Sequence, residues 1–231
     1  MRLLKRKAYP TDLTDEQWEV MEPCLPAASK RGAPRVVNLR EIMNALLYVD
    51  RTGCQWRMLP HDFPDWQVVY DYFRDWRDNG TLKRLNDSLR IKLRLRDGRD
   101  AEPSAAILDS QTVKGTEMSA VRGYDMGKKM RGIKRHALLD TNGWLLALMI
   151  LPANVQDPAG ARALFTAIKS QFPRLKKVWA DGIYGGTLIE WLHALCGWVL
   201  EIIKRTDKAK GFKPLPRRCR AAGSLNGSSA G

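Results

Sequence analysis

The chain has 231 residues, 44% hydrophobic and 28% charged, which suits one or two domains with a sizeable core. Its 39 Lys and Arg against 25 Asp and Glu give a formal charge of +14 and a pI near 9.9, which points to a polyanionic partner, nucleic acid ahead of an anionic membrane surface. No apolar run approaches the roughly 18 residues of a spanning helix. The Met-Arg-Leu-Leu-Lys-Arg-Lys start does not read as a signal peptide, and four cysteines without a CxxC pair argue against a zinc finger or disulfide framework and for a reducing compartment.

The first hundred residues read as helices. Thr14 and Gln17 form a capping box ahead of Trp18, with Leu13 and Trp18 as a hydrophobic staple, and the helix stops near Pro23 and Pro26. A second helix begins after Asn38, with Glu41 at the reciprocal capping position, carries Ile42, Ala45, Leu46 and Val49 at helical spacing, and ends at Gly53. A third follows Asp65 with Val69, Phe73 and Trp76 on one stripe. A fourth has Leu82, Leu85, Leu89 and Leu93 on one face, basic residues including Arg84 and Arg90 around it, and runs to about Arg96. Gln55 to Pro60 lies between two helices as in a helix-turn-helix, though the connection is longer than that motif's usual three or four residues. Trp56, Trp66, Tyr70, Phe73 and Trp76 read as core before base-stacking platforms.

The pattern changes after the polar stretch 97–104. Ala105 to Asp109 is a short apolar run ending in a carboxylate, as in a buried strand. His136 to Leu148 is a hairpin with Asn142-Gly143 in its turn, and Met149 to Leu151 extend its second strand. A helix over 159–172, a strand ending at Asp181, a helix over 187–195 and a strand over 198–203 complete a mixed sheet flanked by helices. The expected division is a helical domain over 1–96, a linker over 97–104, an α/β domain over 105–218, and a disordered low-complexity tail over 219–231.

Asp109 and Asp181 each end a predicted strand, where open sheets place their ligand sites. On neighbouring strands they would converge and hold a hard divalent cation, magnesium or manganese; the alternative is that each caps a turn. Lys128, Lys129, Arg131, Lys134 and Arg135 precede the hairpin and either grip phosphates or form a solvated basic loop. Lys114 has the same two readings. His136 opens the hairpin as a helper or a structural residue. Asp140 reads as a turn residue, and neither Glu190 nor Glu201 sits where a third ligand belongs. The 82–96 helix lies on a DNA backbone or is an ordinary amphipathic surface.

Several segments together resemble the DDE-type bacterial transposases of insertion sequence family five, from about Leu13 to Arg218. They are Leu13 to Pro26, Thr52 to Pro60, Trp66 to Trp76, Asp109-Ser-Gln-Thr-Val-Lys114, Gly132 to His136 with Asp140-Thr-Asn-Gly143, and Ala180-Asp-Gly-Ile-Tyr-Gly185. The resemblance implies a ribonuclease-H-like catalytic domain with its first Asp on the first strand and its second after the fourth. It implies a helical DNA-binding domain and cut-and-join chemistry on element ends and target DNA with two divalent ions. It also implies a synaptic homo-oligomer, in a bacterial cytoplasm, on the nucleoid. The family's third acid is a Glu on a helix after the fifth strand, and no Glu follows Glu201 here. The loss of pattern after Arg218 reads as a truncation or frame change. It leaves an expectation of little cleavage by this chain alone, and of exposed apolar surface near Trp198, Leu200 and Ile202.

Overall fold

The computed structural model describes residues 6–27, 36–115 and 122–203. The expected domain end at Arg218 and the tail over 219–231 lie outside the described residues. The chain divides into two compact units between Asp97 and Gly98. No described helix is long and apolar enough to cross a membrane.

Among the described residues the first unit holds four α-helices: α1 (Asp15–Met21), α2 (Leu39–Thr52), α3 (Trp66–Asp78) and α4 (Thr81–Arg96). The capping box at α1 is formed, with Gln17 N–H donating to Thr14 Oγ1 at 3.2 Å and Thr14 N–H donating to Gln17 Oε1 at 2.9 Å. At α2 the box is not closed. Asn38 accepts from Arg40 N–H, while Glu41 instead accepts from Arg6 at 2.7 Å. The reason is tertiary: Arg6 is also paired with Asp12, and that ion pair draws the Glu41 carboxylate away from the helix start.

The core of this unit gathers Ile42, Ala45, Leu59, Phe63, Val69, Trp76 and Leu85, with Trp18, Trp56 and Trp66 packed against it. Trp56, Trp66 and Trp76 serve the core as read, while Tyr70 and Phe73 are half-buried outside it and form a ring cluster with Trp56, centroids 5.2–6.4 Å apart. The connection between α2 and α3 spans residues 53–65 and contains a 3-10 turn at Trp56–Met58. The tight turn lies instead at Asn79-Gly80, where Gly80 takes φ +76 between α3 and the basic α4.

The second unit is one mixed sheet: β1 (Ala105–Lys114), β2 (Gly123–Asp125), β3 (Met130–Asp140), β4 (Leu145–Pro152), β5 (Lys177–Ala180) and β6 (Val199–Ile202), with helices α5 (Asp157–Ile168) and α6 (Thr187–Cys196). The order runs β4-β3-β1-β5-β6, with β2 also on β3. β3 is antiparallel to β1, β2 and β4, while β5 is parallel to β1 and β6 parallel to β5. This order and these directions are those of the ribonuclease-H-like fold. The extra strand β2 makes the Asp181 strand fifth rather than fourth in chain order.

Three expected boundaries shift. β1 runs on to Lys114, so Asp109 is within the strand rather than at its end, because β3 supplies a hydrogen-bonding partner as far as Gly132. The hairpin strand starts at Met130 rather than His136 for the same reason. α5 starts at Asp157, with Pro158 in its first turn, and ends at Ile168. The Asn142-Gly143 turn forms, with Gly143 at φ +86, and Asp140 accepts from the Asn142 and Trp144 N–H groups.

The even-numbered side of β1 and β3 packs under α5 and α6: Ala106, Leu108 and Leu138 join Leu164, Phe165, Val178, Leu188, Leu192, Trp198 and Leu200 in the core. Trp198 and Leu200 are therefore buried, against expectation. The strand period of two puts their neighbour Val199, together with Leu148 and Ile150, on the opposite face, where each is about half exposed.

Candidate active site on the open face of the sheet

Ile107 of β1 pairs with Trp179 of β5 in parallel register. Carried two residues on, that register sets Asp181 beside Asp109. Asp181 keeps an extended backbone, φ −76 and ψ 177, so both carboxylates leave the same face of the sheet. Both are exposed. One oxygen of each is occupied by a nearby backbone N–H, Ser110 at 2.8 Å on Asp109 and Ile183 at 3.0 Å on Asp181. The second oxygen of each makes no hydrogen bond among the described residues.

Two exposed carboxylates with free oxygens, side by side, form a hard donor set of the kind that holds a magnesium ion with the remaining positions left to water and phosphate. Among the described residues no group of three or more His, Cys, Asp or Glu is arranged to hold a metal.

The basic run 128–135 is split by strand alternation. Arg131 and Arg135 point out on the face that carries Asp109, with Arg135 opposite Gln111. Lys128 and Lys129 are exposed in the β2–β3 turn, and Lys114 is exposed near the far end of β1. Lys134 corrects the expectation of a solvent-facing contact. Its side chain is 7% exposed, 3.3 Å from Asp157 and 3.7 Å from Asp125, and donates to the Val155 carbonyl at 2.9 Å. Arg90 is corrected likewise, lying 4% exposed against Asp87 at 2.6 Å. In both cases the side chain falls on the buried face of its element, which a count of charges along the chain does not register. Arg84 is exposed and donates to the Asn79 carbonyl and Thr81 hydroxyl at the α3–α4 turn.

Directly behind Asp109, on the buried face, lies a polar network that the sequence reading missed. Ser110 donates to Asp157 at 2.7 Å and Thr112 donates to Asp125 at 2.7 Å. Lys134 sits between the two acids. Thr112, then the Lys128 N–H, hold the Asp125 carboxyl below its usual range. Tyr184, three residues after Asp181, is 1% exposed, and its hydroxyl makes no hydrogen bond among the described residues. Burial raises its pKa, the nearby Ser110 hydroxyl opposes, and the carboxylates of Asp157, Asp181 and Asp109 add to the rise. The available signal was Asp157-Pro158, a helix start; nothing local marked Asp125.

His136 is fully buried, with both ring nitrogens unpartnered, and a Cβ at Gly160 of α5 would overlap its ring. It is a packed residue behind the sheet. Burial holds its pKa below the ordinary 6.5, Asp157 opposing and Lys134 assisting. The folded ring therefore stays neutral where the unfolded chain already binds a proton. Its contribution to stability is full above pH 6.5 and is lost as pH falls from there toward the lower folded value, by up to about 1.4 kcal/mol per pH unit. Urea midpoints at pH 7.5, 6.5 and 5.5 should fall in that order, and His136→Leu should flatten the step. An equally steep step in His136→Leu would assign the effect elsewhere.

A family model described as "Putative transposase of IS4/5 family (DUF4096)" matches residues 13–86, and one described as "Transposase DDE domain" matches residues 100–221. The "Insertion element IS402 uncharacterized 16.2 kDa protein" of Burkholderia cepacia is 32% identical over 51% of this chain and 78% of its own length. The "Uncharacterized protein y4sN" of Sinorhizobium fredii is 29% identical over 51% of this chain and 88% of its own. Among solved structures, a piggyBac transposase chain from a synaptic complex with hairpin DNA aligns with a TM-score of 0.35 and 14% identity over 86% of this chain. This chain spans 50% of that one's length. With the DDE domain model covering more than half of its residues and the IS4/5 model matching its helical part, the chain belongs to the DDE-type insertion-sequence transposases, a family of polynucleotidyl transferases.

Proposed function

We propose that this chain binds double-stranded DNA, at element terminal repeats and at target sites, and that Asp109 and Asp181 are its metal-holding acids for phosphodiester cleavage and strand transfer. The reading is carried by the side-by-side placement of those two carboxylates at one level of adjacent parallel strands. Asp109 and Asp181 would hold magnesium or manganese, which would supply Lewis acidity for phosphodiester chemistry there. The chain's own residues do the rest. The Ser110 and Ile183 N–H groups orient the two carboxylates, so that one oxygen of each faces outward. Arg131 and Arg135 line the same face and neutralise phosphates, with Lys114, Lys128 and Lys129 extending that positive surface; Arg84 is a separate phosphate contact of the helical unit. The basic excess favours residence on the nucleoid, and family chemistry favours a synaptic homo-oligomer.

Two acids neutralise and space two ions less well than three, and no Glu follows Glu201 in these residues. We infer that the 231 residues by themselves bind DNA but do not complete strand transfer. The test is purified protein with a labelled duplex carrying the terminal inverted repeat, with Mn2+ present. A gel shift without nicked or joined product is expected, and abundant strand-transfer product overturns the inference. The second reading, a non-catalytic binder that competes with a complete transposase, follows from the same two-acid set. It predicts that Asp109→Ala leaves the protein's effect on transposition in cells unchanged.

A further inference from the structure

The β2–β3 hairpin ends in the four-residue turn Met126-Gly-Lys-Lys129. Met126 is 79% exposed and Tyr124, just before it, 46%. The two side chains lie two residues apart in one hairpin and give its tip an exposed apolar character. Here they are flanked by exposed Lys128, Lys129 and Arg131, so the tip is apolar at its point and cationic at its sides.

The tip is also braced. Asp125 at its base accepts from the Lys128 N–H at 3.0 Å with one oxygen and from Thr112 of β1 at 2.7 Å with the other, while the buried Lys134 lies 3.7 Å away. Lys129 takes the left-handed conformation, φ 50, that closes the turn. Tyr124 pairs with Arg131, whose parity is that of Arg135 opposite Gln111, and so of Asp109. The aromatic ring therefore belongs to the face that carries the two acids. Gly115, at the far end of β1, donates to the Arg131 carbonyl, and from Asp109 to that level a strand covers about 20 Å. At about 3.4 Å per nucleotide along one strand, this spans about six nucleotides.

We propose that Tyr124 and Met126 form a wedge that presses between stacked bases of DNA whose scissile phosphate lies at Asp109 and Asp181, about six nucleotides away. The inference rests on the DNA-binding reading above and deepens it, because it assigns base unstacking to a surface otherwise expected to touch only phosphates. Charge complementarity selects the partner: a ring of cations around an apolar point suits a polyanion with an apolar interior. Apolar wedges of this kind unstack and kink a duplex while neighbouring cations hold its backbone.

The experiment uses the full chain and a 30-base-pair duplex with 2-aminopurine at every adenine of one strand, fluorescence anisotropy reporting binding and 2-aminopurine emission reporting unstacking. At saturation, wild type should raise the emission, because bases at the wedge are unstacked. Tyr124→Ala with Met126→Ala should abolish the rise and weaken binding by up to about tenfold, with the salt dependence of affinity unchanged, because no phosphate contact is lost. Lys128→Ala with Lys129→Ala should lower the salt slope by about 2 and keep the rise once the protein is saturated. Saturated binding by wild type without any rise overturns the wedge and leaves DNA binding standing, as does a rise undiminished in the Tyr124 and Met126 variant. Absence of any anisotropy change overturns the DNA reading and the wedge together. Circular dichroism of each variant checks that the exposed substitutions leave the fold intact.

Discussion

Lys134→Met should destabilise the second unit by about 3 kcal/mol, one of the largest single-site effects in this protein. The substitution keeps the length and apolar stem of the side chain and removes only its charge. Asp125 and Asp157, with side chains 10% and 18% exposed, would then lose the cation between them, and the Val155 carbonyl its donor. A buried carboxylate deprived of its cation costs far more than the intact pair contributes, because the desolvation remains while the attraction is gone. In a chain of this size the melting temperature should fall by about 10 °C. Adding Asp125→Asn to Lys134→Met should recover part of the loss, since removing both charges costs less than stranding one. A Lys134→Met protein as stable as wild type would show that water, rather than the lysine, satisfies the two acids.

Asp109→Asn and Asp181→Asn should each lower Mn2+ affinity by about 100-fold, the upper end of what even outer-shell substitutions cost at metal sites. Each variant removes one of only two carboxylates, so no other acid in the described site can take over. Manganese paramagnetic resonance titrations read this directly, without DNA or turnover. The same loss should show in thermal melts. Mn2+ should raise the melting temperature of wild type by binding the folded state alone, chelation with EDTA should reverse the rise, and neither variant should respond. Without metal, both variants should melt at or slightly above wild type, because one of two adjacent like charges has been neutralised. Undiminished Mn2+ affinity in both would remove Asp109 and Asp181 from the metal site.

The parts of the fold that read correctly from sequence are those with short-range causes. Thr14 and Gln17 cap their helix within a single turn, Gly53 closes α2 in the left-handed conformation, and Asn142-Gly143 turns the hairpin. Each outcome depends on residues within about four positions of one another, where backbone sterics and local hydrogen bonds decide. The end of β5 was legible for the same reason: an apolar run stops at Asp181, a carboxylate followed by glycines.

What failed to read had long-range causes. Glu41 turned from its own helix start to Arg6. β1 continued past Asp109 because β3 happened to run beside it, and no residue in 110–114 announces a partner twenty positions away. Arg90 sits inside on a helix whose basic residues all read as lying off its leucine face, and Trp198 and Leu200 went to the core while Val199 faced out. In each case the composition was right and the side of the element was not. A face is assigned only when neighbouring elements set which side is covered.

The same division runs through the function. Sequence alone supplied the two acids, the basic run and the motif series that marks a DDE transposase, because chemistry is carried by residue types and families by their spacing. Tertiary structure decided on which face of the sheet each of those residues lies. Parallel register set Asp181 level with Asp109, and strand alternation sent Arg131 and Arg135 to their face while drawing Lys134 through the sheet to Asp125 and Asp157. A period of two converts a one-residue shift into the opposite side of a sheet. Charges adjacent in the chain are therefore separated by the fold, and acids far apart in the chain are joined by it.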